Sequence, residues 1–178
     1  MLLVLMLVVT AVWVARLVDV PRGSDGSAGE VVAGPGVVVA VTDGDTVRVR
    51  IGRAEESVRI VGIDTPEIDH PGKPAGCFGE QASAATRVWT LGRVVDVAPA
   101  REQRDHFGRL LARLVPRDGP IAGRDLSRVL ALSGFARALP IAPNTDDAAA
   151  IDENVAIARR LGRGLWSACG FAAAFPGK

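Results

Sequence analysis

Three short strands in close succession constrain the fold of this chain more than any other feature. Residues 37–41 are apolar, and residues 46–51 alternate apolar and charged side chains, as a strand with one buried face does. Asp43-Gly44 between them is a typical tight-turn pair. Residues 57–63 are apolar on both faces except at Arg59. The fold is therefore expected to be built around strands.

Periodicity and turn signals predict a helix at residues 79–91, strands at 93–98 and 109–115, and helices at 125–133 and about 147–161. The first helix presents a predicted buried face of Ala82, Ala85, Val88 and Trp89. The last helix presents Ile151, Val155, Ala158 and Leu161. Five strands with about three packed helices predict an α+β fold on a small closed barrel, the OB-type architecture.

The chain of 178 residues is long enough for one domain with extensions. Residues 1–20 predict a signal peptide or an N-terminal membrane anchor, with a buried N-terminal helix as the alternative. Residues 21–36, rich in Gly, Ser and Pro, predict a flexible linker, which argues against that alternative. The folded domain is expected at residues 37–170, followed by a tail at 171–178. We expect export, either secreted or tethered to the outer face of the cytoplasmic membrane.

Two cysteines, Cys77 and Cys169, are candidates for one disulfide if the chain is exported. The alternative is two buried free thiols. Two cysteines and two histidines without ligand spacing do not indicate a zinc site.

The net charge of +1 does not by itself indicate a nucleic-acid partner. Residues 101–137, however, hold eight arginines against four acidic residues, a local excess of +4. Any attraction to phosphate is therefore expected to be local, and the positions of individual arginines matter more than their number.

Carboxylates cluster where the predicted strands end. Asp43 and Asp45 flank one glycine, and their crowded negative charge favours a cation, although the same pair is also an ordinary hairpin turn. Asp64, Thr65 and Glu67 follow the third strand, where an ordinary strand exit is the alternative. Oxygen ligands of this kind are those that a hard metal ion prefers.

Two arginines lie beside these carboxylates in the predicted strand order. Arg59 sits within an apolar strand, where a cation is costly unless it is paired. It is either a partner in a salt bridge or a guanidinium that binds phosphate, for which its planar donors are suited. Arg109 follows Gly108 and is either a solvated strand start or a second phosphate ligand.

These elements, in this order, resemble the staphylococcal nuclease (thermonuclease) family. Two further segments extend the resemblance, Phe78-Gly79-Glu80-Gln81-Ala82 and Ser133-Gly134-Phe135-Ala136. The resemblance covers roughly residues 37–170 and is densest at 41–115. It implies the same OB-type barrel and a nuclease that hydrolyses the phosphodiester bonds of DNA and of RNA.

The resemblance also implies roles for individual residues. Ca²⁺ would be held by Asp45, Asp64 and the backbone carbonyl of Thr65, with Asp43 tuning the metal from beside it. The catalytic residues would be Glu67 as general base for the attacking water, with Arg59 and Arg109 stabilising the transition state. Cleavage would be endonucleolytic and would leave 3′-phosphate ends.

One departure from the family concerns substrate binding. The chain has no tyrosine, Phe107 stands where the family usually has one, and residues 136–143 hold no aromatic side chain. Stacking on aromatic rings supplies much of the affinity for single strands. A non-catalytic OB-fold module that binds nucleic acid or protein therefore stays open as an alternative, as does a structural domain that uses calcium for stability. A monomer is expected.

Overall fold

The computed structural model describes residues 33–69 and 75–176. Its strands are β1 (Gly34–Val41), β2 (Thr46–Ile51), β3 (Ala54–Ile60), β4 (Gly62–Asp64), β5 (Val94–Arg104), β6 (Leu110–Pro116) and β7 (Arg137–Leu139). Its helices are α1 (Gly79–Thr90), α2 (Leu126–Leu132), α3 (Ala148–Arg160), α4 (Leu165–Ala168) and α5 (Phe171–Ala174).

Five strands close into a barrel in the order β1-β2-β3-β6-β5. Neighbouring strands are antiparallel except β3 and β6, which run parallel. Alternate side chains fill the interior, because successive residues of a strand point to opposite faces. The buried strand residues include Val38, Val47, Val49, Val58, Ile60, Val95, Val97, Leu110, Ala112 and Leu114. The predicted α+β fold with an OB-type five-stranded barrel is confirmed.

The predicted third strand, residues 57–63, is interrupted. β3 ends at Ile60, and β4 starts at Gly62 and pairs with β7 in a separate two-stranded sheet. Gly62 has a φ of 83°, and a Cβ there would lie 2.5 Å from Ile151 Cδ1. The chain bends at Gly62, so that residues 62–64 leave the barrel and pair with β7 next to Ile151 of α3.

Helix α1 buries only part of the predicted face. Ala82 is buried and Trp89 packs against the core, but Val88 is 63% exposed, and Ser83, Thr86 and Thr90 are buried instead. The helix lies across the β1–β2 turn, where the Thr86 hydroxyl donates a hydrogen bond of 2.7 Å to the Gly44 carbonyl. A threonine hydroxyl therefore occupies the contact between α1 and the turn, because the Gly44 carbonyl beneath the helix needs a donor.

Helices α2 and α3 pack on the barrel largely as predicted. The Asp125 carboxylate accepts hydrogen bonds from the backbone N–H groups of Ser127 and Arg128 and caps α2. In α3, Ile151, Val155 and Ala158 are buried. The prediction that Leu161 is buried was wrong: its side chain is 55% exposed, because α3 ends at Arg160 and the chain turns away.

The C-terminal segment folds back onto the loop before α1. Leu165, Ala174 and Phe175 form a small buried cluster with Phe78 and Trp166. Cys77 and Cys169 are joined by a disulfide, with their Cα atoms 6.1 Å apart. The segment predicted as a tail thus contributes α5, and the bond ties α4 to the residues that precede α1.

Within residues 33–69 and 75–176, no helix is long and apolar enough to cross a bilayer. The predicted signal or anchor segment, residues 1–20, lies outside the described residues.

Candidate active site

The β1–β2 turn holds Asp43 and Asp45 in a fixed arrangement. The backbone N–H groups of Thr42 and Asp43 donate to the Thr46 carbonyl, and the Asp45 N–H donates to Asp43 Oδ1 at 3.0 Å. Gly44 is required between them, because a Cβ there would lie 2.7 Å from Thr65 Oγ1. The turn is therefore pressed directly against Thr65.

Asp45 links this turn to the segment after β4. Its Oδ2 accepts hydrogen bonds from the Thr65 N–H at 2.8 Å and from the Thr65 hydroxyl at 3.2 Å. Its backbone carbonyl accepts from the Ile60 N–H at 2.8 Å. Residues predicted as calcium ligands from two distant segments are thereby in direct contact.

Arg59 lies between the two predicted carboxylate ligands. Its side chain is 14% exposed and forms ion pairs with both Asp45 Oδ1 and Asp64 Oδ1, the latter at 3.4 Å. The contact of Nη1 with Asp45 is an ion pair, whereas Nη2 also donates a hydrogen bond to Asp64 Oδ1. The arrangement contains the salt bridge given as one alternative, and it also places the guanidinium beside the predicted metal ligands.

Asp64 has a second cationic partner that the sequence analysis missed. Arg137 Nε and Nη2 both lie 2.9 Å from Asp64 Oδ2. Residues 64 and 137 are paired directly across the β4–β7 sheet, which places their side chains on one face. The available signal was an arginine between Ala136 and Ala138, directly after the segment that resembles the family.

Asp43 is the carboxyl group most perturbed by this crowding. Its burial, together with the charge of Asp45, raises the pKa of Asp43 to about 7. A cation near this turn would favour the ionised form of Asp43, so the turn is electrostatically suited to a cation.

The donor set fits a hard cation but does not complete its coordination. Among the described residues, no group of three His, Cys, Asp or Glu side chains is arranged to hold a metal. Asp45 and Asp64 nevertheless meet at one guanidinium, with Thr65 bonded to Asp45. Two buried carboxylates and a nearby carbonyl suit Ca²⁺, which takes about six to eight oxygen ligands, the remainder from water and substrate.

Glu67 follows these residues in a half-buried loop. Its backbone carbonyl accepts a hydrogen bond from the Gly76 N–H at 2.9 Å. A Cβ at Gly79 would lie 2.1 Å from the same carbonyl oxygen, so the start of α1 is packed against the Glu67 backbone. The predicted general base is thus on a loop that α1 and its preceding turn hold in place.

Arg109 lies directly before the neighbouring strand β6, two residues ahead of Leu111, which is paired with Arg59 in the parallel β3–β6 register. Arg109 is 30% exposed, and its Nε donates to Asp105 Oδ2 at 2.7 Å. Burial opposes ionisation of Asp105, but its hydrogen bonds with Arg109 outweigh this effect and hold the pKa of Asp105 below its usual value.

Phe107, which stands in place of the family's tyrosine, lies at the rim of this region. Its side chain is 71% exposed, and the Arg109 guanidinium carbon lies 5.3 Å from the centre of its ring. The ring is therefore accessible to a stacking partner, while its contact with Arg109 is of the cation–π type.

The other arginines of the basic stretch are largely paired with acids. The pairs are Arg101 with Asp146, Arg104 with Glu56, Arg117 with Asp96, and both Arg113 and Arg128 with Asp147. The local positive excess is thus spread over surface ion pairs and does not form one uncompensated patch.

The protein is thus a closed OB-type barrel in which Asp45, Arg59 and Asp64 meet where the β1–β2 turn, β3 and β4 come together. Residues 57–168 match the family model of the staphylococcal nuclease homologue. The chain belongs to this family.

Several relatives cover most of the chain. The thermonuclease of Staphylococcus hyicus is 30% identical over 131 residues, which is 73% of this chain and 74% of that protein. The thermonuclease of Staphylococcus intermedius is 31% identical over the same shares. Endonuclease YncB of Bacillus subtilis is 31% identical over 72% of this chain and 60% of its own length.

Proposed function

We propose that this protein is a calcium-dependent nuclease that hydrolyses phosphodiester bonds of DNA and RNA, cuts within the strand and leaves 3′-phosphate ends. Family membership and relatives named thermonuclease and endonuclease support nuclease activity. One observation carries the assignment to this site: a buried guanidinium, Arg59, lies between Asp45 and Asp64, and Asp45 also binds Thr65.

Asp45, Asp64 and the Thr65 carbonyl would hold the calcium ion. When bound, Ca²⁺ would supply positive charge that stabilises the phosphoryl oxygens and orients water. Asp43, whose carboxyl is destabilised in its ionised form by Asp45 and burial, would become easier to ionise beside that charge.

The protein's own side chains supply the proton transfer and the donors. Glu67 accepts one proton from the attacking water, whose oxygen forms a bond to phosphorus. The bond from phosphorus to the 5′ oxygen breaks, and that oxygen takes a proton from solvent. Arg59 and Arg109 donate hydrogen bonds to the phosphoryl oxygens, where negative charge accumulates.

A cleavage assay on the full-length protein tests this proposal. Single-stranded DNA and RNA are incubated with calcium or with a chelator, and Glu67→Gln is compared with Glu80→Gln, an exposed glutamate at the start of α1. We expect calcium-dependent cutting, lowered about 100-fold or more in kcat by Glu67→Gln, with calcium affinity retained. Glu80→Gln should cut like the wild type.

Two results would contradict the proposal in different ways. A folded wild type that binds calcium and nucleic acid but cuts neither DNA nor RNA would indicate the non-catalytic binding module. A Glu67→Gln variant with lost calcium affinity and full activity would indicate that calcium acts only on stability.

We further propose that the protein acts outside the cytoplasm, as a monomer that is secreted or held by its N-terminal segment. The mainly apolar residues 1–20 and the Cys77–Cys169 disulfide support this location, because structural disulfides persist in oxidising compartments. Cell fractionation with intact-mass analysis distinguishes the two forms, since removal of the segment lowers the mass. Recovery of the reduced protein from the cytoplasm would contradict export.

A further inference from the structure

Arg137 lies on β7, outside the barrel, and makes close contacts with Asp64 on β4. Its Nε donates a hydrogen bond to Asp64 Oδ2, and its Nη2 forms an ion pair with the same oxygen, both at 2.9 Å, while Arg59 lies nearer the other oxygen. The Asp64 side chain is 3% exposed and that of Arg137 is 18% exposed. Each carboxylate oxygen of Asp64 therefore has its own guanidinium partner.

The C-terminal segment covers the other side of Arg137. Its guanidinium carbon lies 4.4 Å from the centre of the Phe175 ring and 5.5 Å from that of Phe171. The two rings lie 5.3 Å apart, and Phe175 is 2% exposed. Because a guanidinium is planar, stacking on these rings restricts the direction in which its donors point.

This aromatic segment is itself fastened to the loop that follows Glu67. The Cys77 N–H donates to the Ala173 carbonyl at 2.7 Å, and Cys77 is bonded to Cys169. A Cβ at Gly76 would lie 2.3 Å from the Ala174 carbonyl oxygen, so the two segments are in close backbone contact. The disulfide, the two rings, Arg137 and Asp64 form one continuous set of contacts.

We propose that Arg137 is a positioning residue that orients the Asp64 carboxylate for calcium, and that residues 171–175 hold Arg137 in that position. The inference rests on the proposed function, because it takes Asp64 as a metal ligand. Carboxylate ligands are commonly oriented by hydrogen bonds from neighbouring groups, whose removal lowers metal affinity about 10- to 100-fold.

The direction of the change in calcium affinity separates positioning from simple charge competition. A cation beside a ligand repels calcium, so that removing Arg137 would tighten binding if charge alone mattered. If Arg137 orients Asp64, its removal lets the carboxylate rotate and weakens binding. The two effects have opposite signs in the measured dissociation constant.

The test measures calcium dissociation constants by titration calorimetry on the full-length protein, without nucleic acid, together with kcat and KM for cleavage. The variants are Arg137→Gln, Arg137→Lys and Phe175→Leu. Arg117→Gln is the matched control, because Arg117 forms an exposed ion pair with Asp96. Near-ultraviolet circular dichroism establishes that each variant is folded.

We expect Arg137→Gln to weaken calcium binding about 10-fold or more. Arg137→Lys should recover only part of the loss, because an ammonium keeps the charge but has no planar group that stacks on the rings and fixes the direction of its donors. Phe175→Leu should weaken binding by a smaller factor, about 2- to 5-fold, since it removes the ring and keeps an apolar side chain. Arg117→Gln should bind calcium like the wild type.

A folded Arg137→Gln variant with unchanged or tighter calcium binding would overturn the proposal. If that variant does not fold, Phe175→Leu decides: a weakened affinity supports the proposal and an unchanged one overturns it. A wild type that binds calcium and cuts, with unaffected variants, contradicts this inference alone. A wild type that binds no calcium contradicts the proposed function and this inference with it.

Discussion

The two arginines of the candidate site are held in different ways. Arg59 lies within β3, is 14% exposed and contacts Asp45 and Asp64, which belong to separate segments of the fold. Arg109 is 30% exposed, and its ion-pair partner Asp105 belongs to the same short turn. Tertiary structure thus fixes one arginine, whereas local structure fixes the other.

This comparison indicates that function and stability are coupled at Arg59 and separable at Arg109. Buried charges depend on each other, since removing one leaves its partners unpaired in a poorly solvated place. A partly exposed pair within a turn contributes little to folding, because water and rotation compete with it. Substitutions on the two sides should therefore differ in the ratio of lost stability to lost activity.

The largest effect is expected for Arg59→Gln. It leaves Asp45 and Asp64 close together without the guanidinium between them, which should lower the free energy of unfolding by about 3 kcal/mol in chelator. Activity should fall about 10³-fold. Urea unfolding with and without calcium measures the first effect, and calcium should restore part of the stability.

Arg48→Gln is the control for that substitution, since Arg48 pairs with Glu55 at the surface of β2 with 56% of its side chain exposed. Its expected change in the free energy of unfolding is below about 1 kcal/mol. If Arg59→Gln were as stable as Arg48→Gln in chelator, the claim that the barrel depends on Arg59 would be wrong.

For Arg109→Gln we expect loss of activity without much loss of stability. Cleavage should fall about 10²- to 10³-fold, as when one transition-state donor is removed. The free energy of unfolding should change by less than about 1 kcal/mol. Steady-state kinetics and urea unfolding of the same preparation measure the two effects. A loss of stability as large as that of Arg59→Gln would contradict the proposed difference between the two arginines.

Gly44→Ala tests how tightly the Arg59 side is assembled. The new Cβ would meet Thr65 Oγ1 at 2.7 Å and Ala82 Cβ at 2.9 Å, so the turn must move away from Thr65. Overpacking of this kind costs about 1–3 kcal/mol. Thermal unfolding measures the loss, and Gly34→Ala is the matched control, because a Cβ there has no atom within 4 Å. Equal melting temperatures for the two variants would contradict the packing argument.

Local patterns were sufficient to predict that five barrel strands and the main helices exist, but β1 starts inside the predicted linker, at Gly34, and β5 extends beyond the predicted residues 93–98 to Arg104. The alternation in β2 places Val47 and Val49 in the core, as predicted, and Asp125 caps α2. The errors arise where tertiary contacts decide. Val88 has the spacing of a buried residue, but α1 instead buries Thr86, whose hydroxyl reaches the Gly44 carbonyl. That partner lies 42 residues away and leaves no local signal.

The residues of the candidate site likewise fall into those that a local pattern marks and those that only tertiary pairing brings to the site. Asp45, Arg59 and Asp64 could be proposed from the sequence, because charged residues beside or within apolar strands stand out. Arg137 could not, since its role depends on the pairing of β7 with β4, and three residues of β7 carry too little pattern to predict a strand. The predicted roles of these residues, like those of Glu67 and Arg109, stay predictions until the variants are measured.

The smallest expected effect concerns pH and Asp105. Its hydrogen bonds with Arg109 hold the folded-state pKa below the usual value, despite the opposing effect of burial. The stability from this interaction is therefore fully present above the unfolded-state pKa of about 4 and is lost as pH falls through the folded-state pKa. Asp105→Asn should lower the free energy of unfolding by about 1 kcal/mol at pH 7, and the difference from the wild type should vanish at the acid end of a urea-unfolding series.

Asp118→Asn, at the exposed ion pair with Arg93, should show only a few tenths of a kcal/mol throughout. A deficit in Asp105→Asn that persists in acid would mean that the turn depends on the shape of the side chain rather than on its charge, and Arg109 would then be held by the loop backbone instead of by its ion pair.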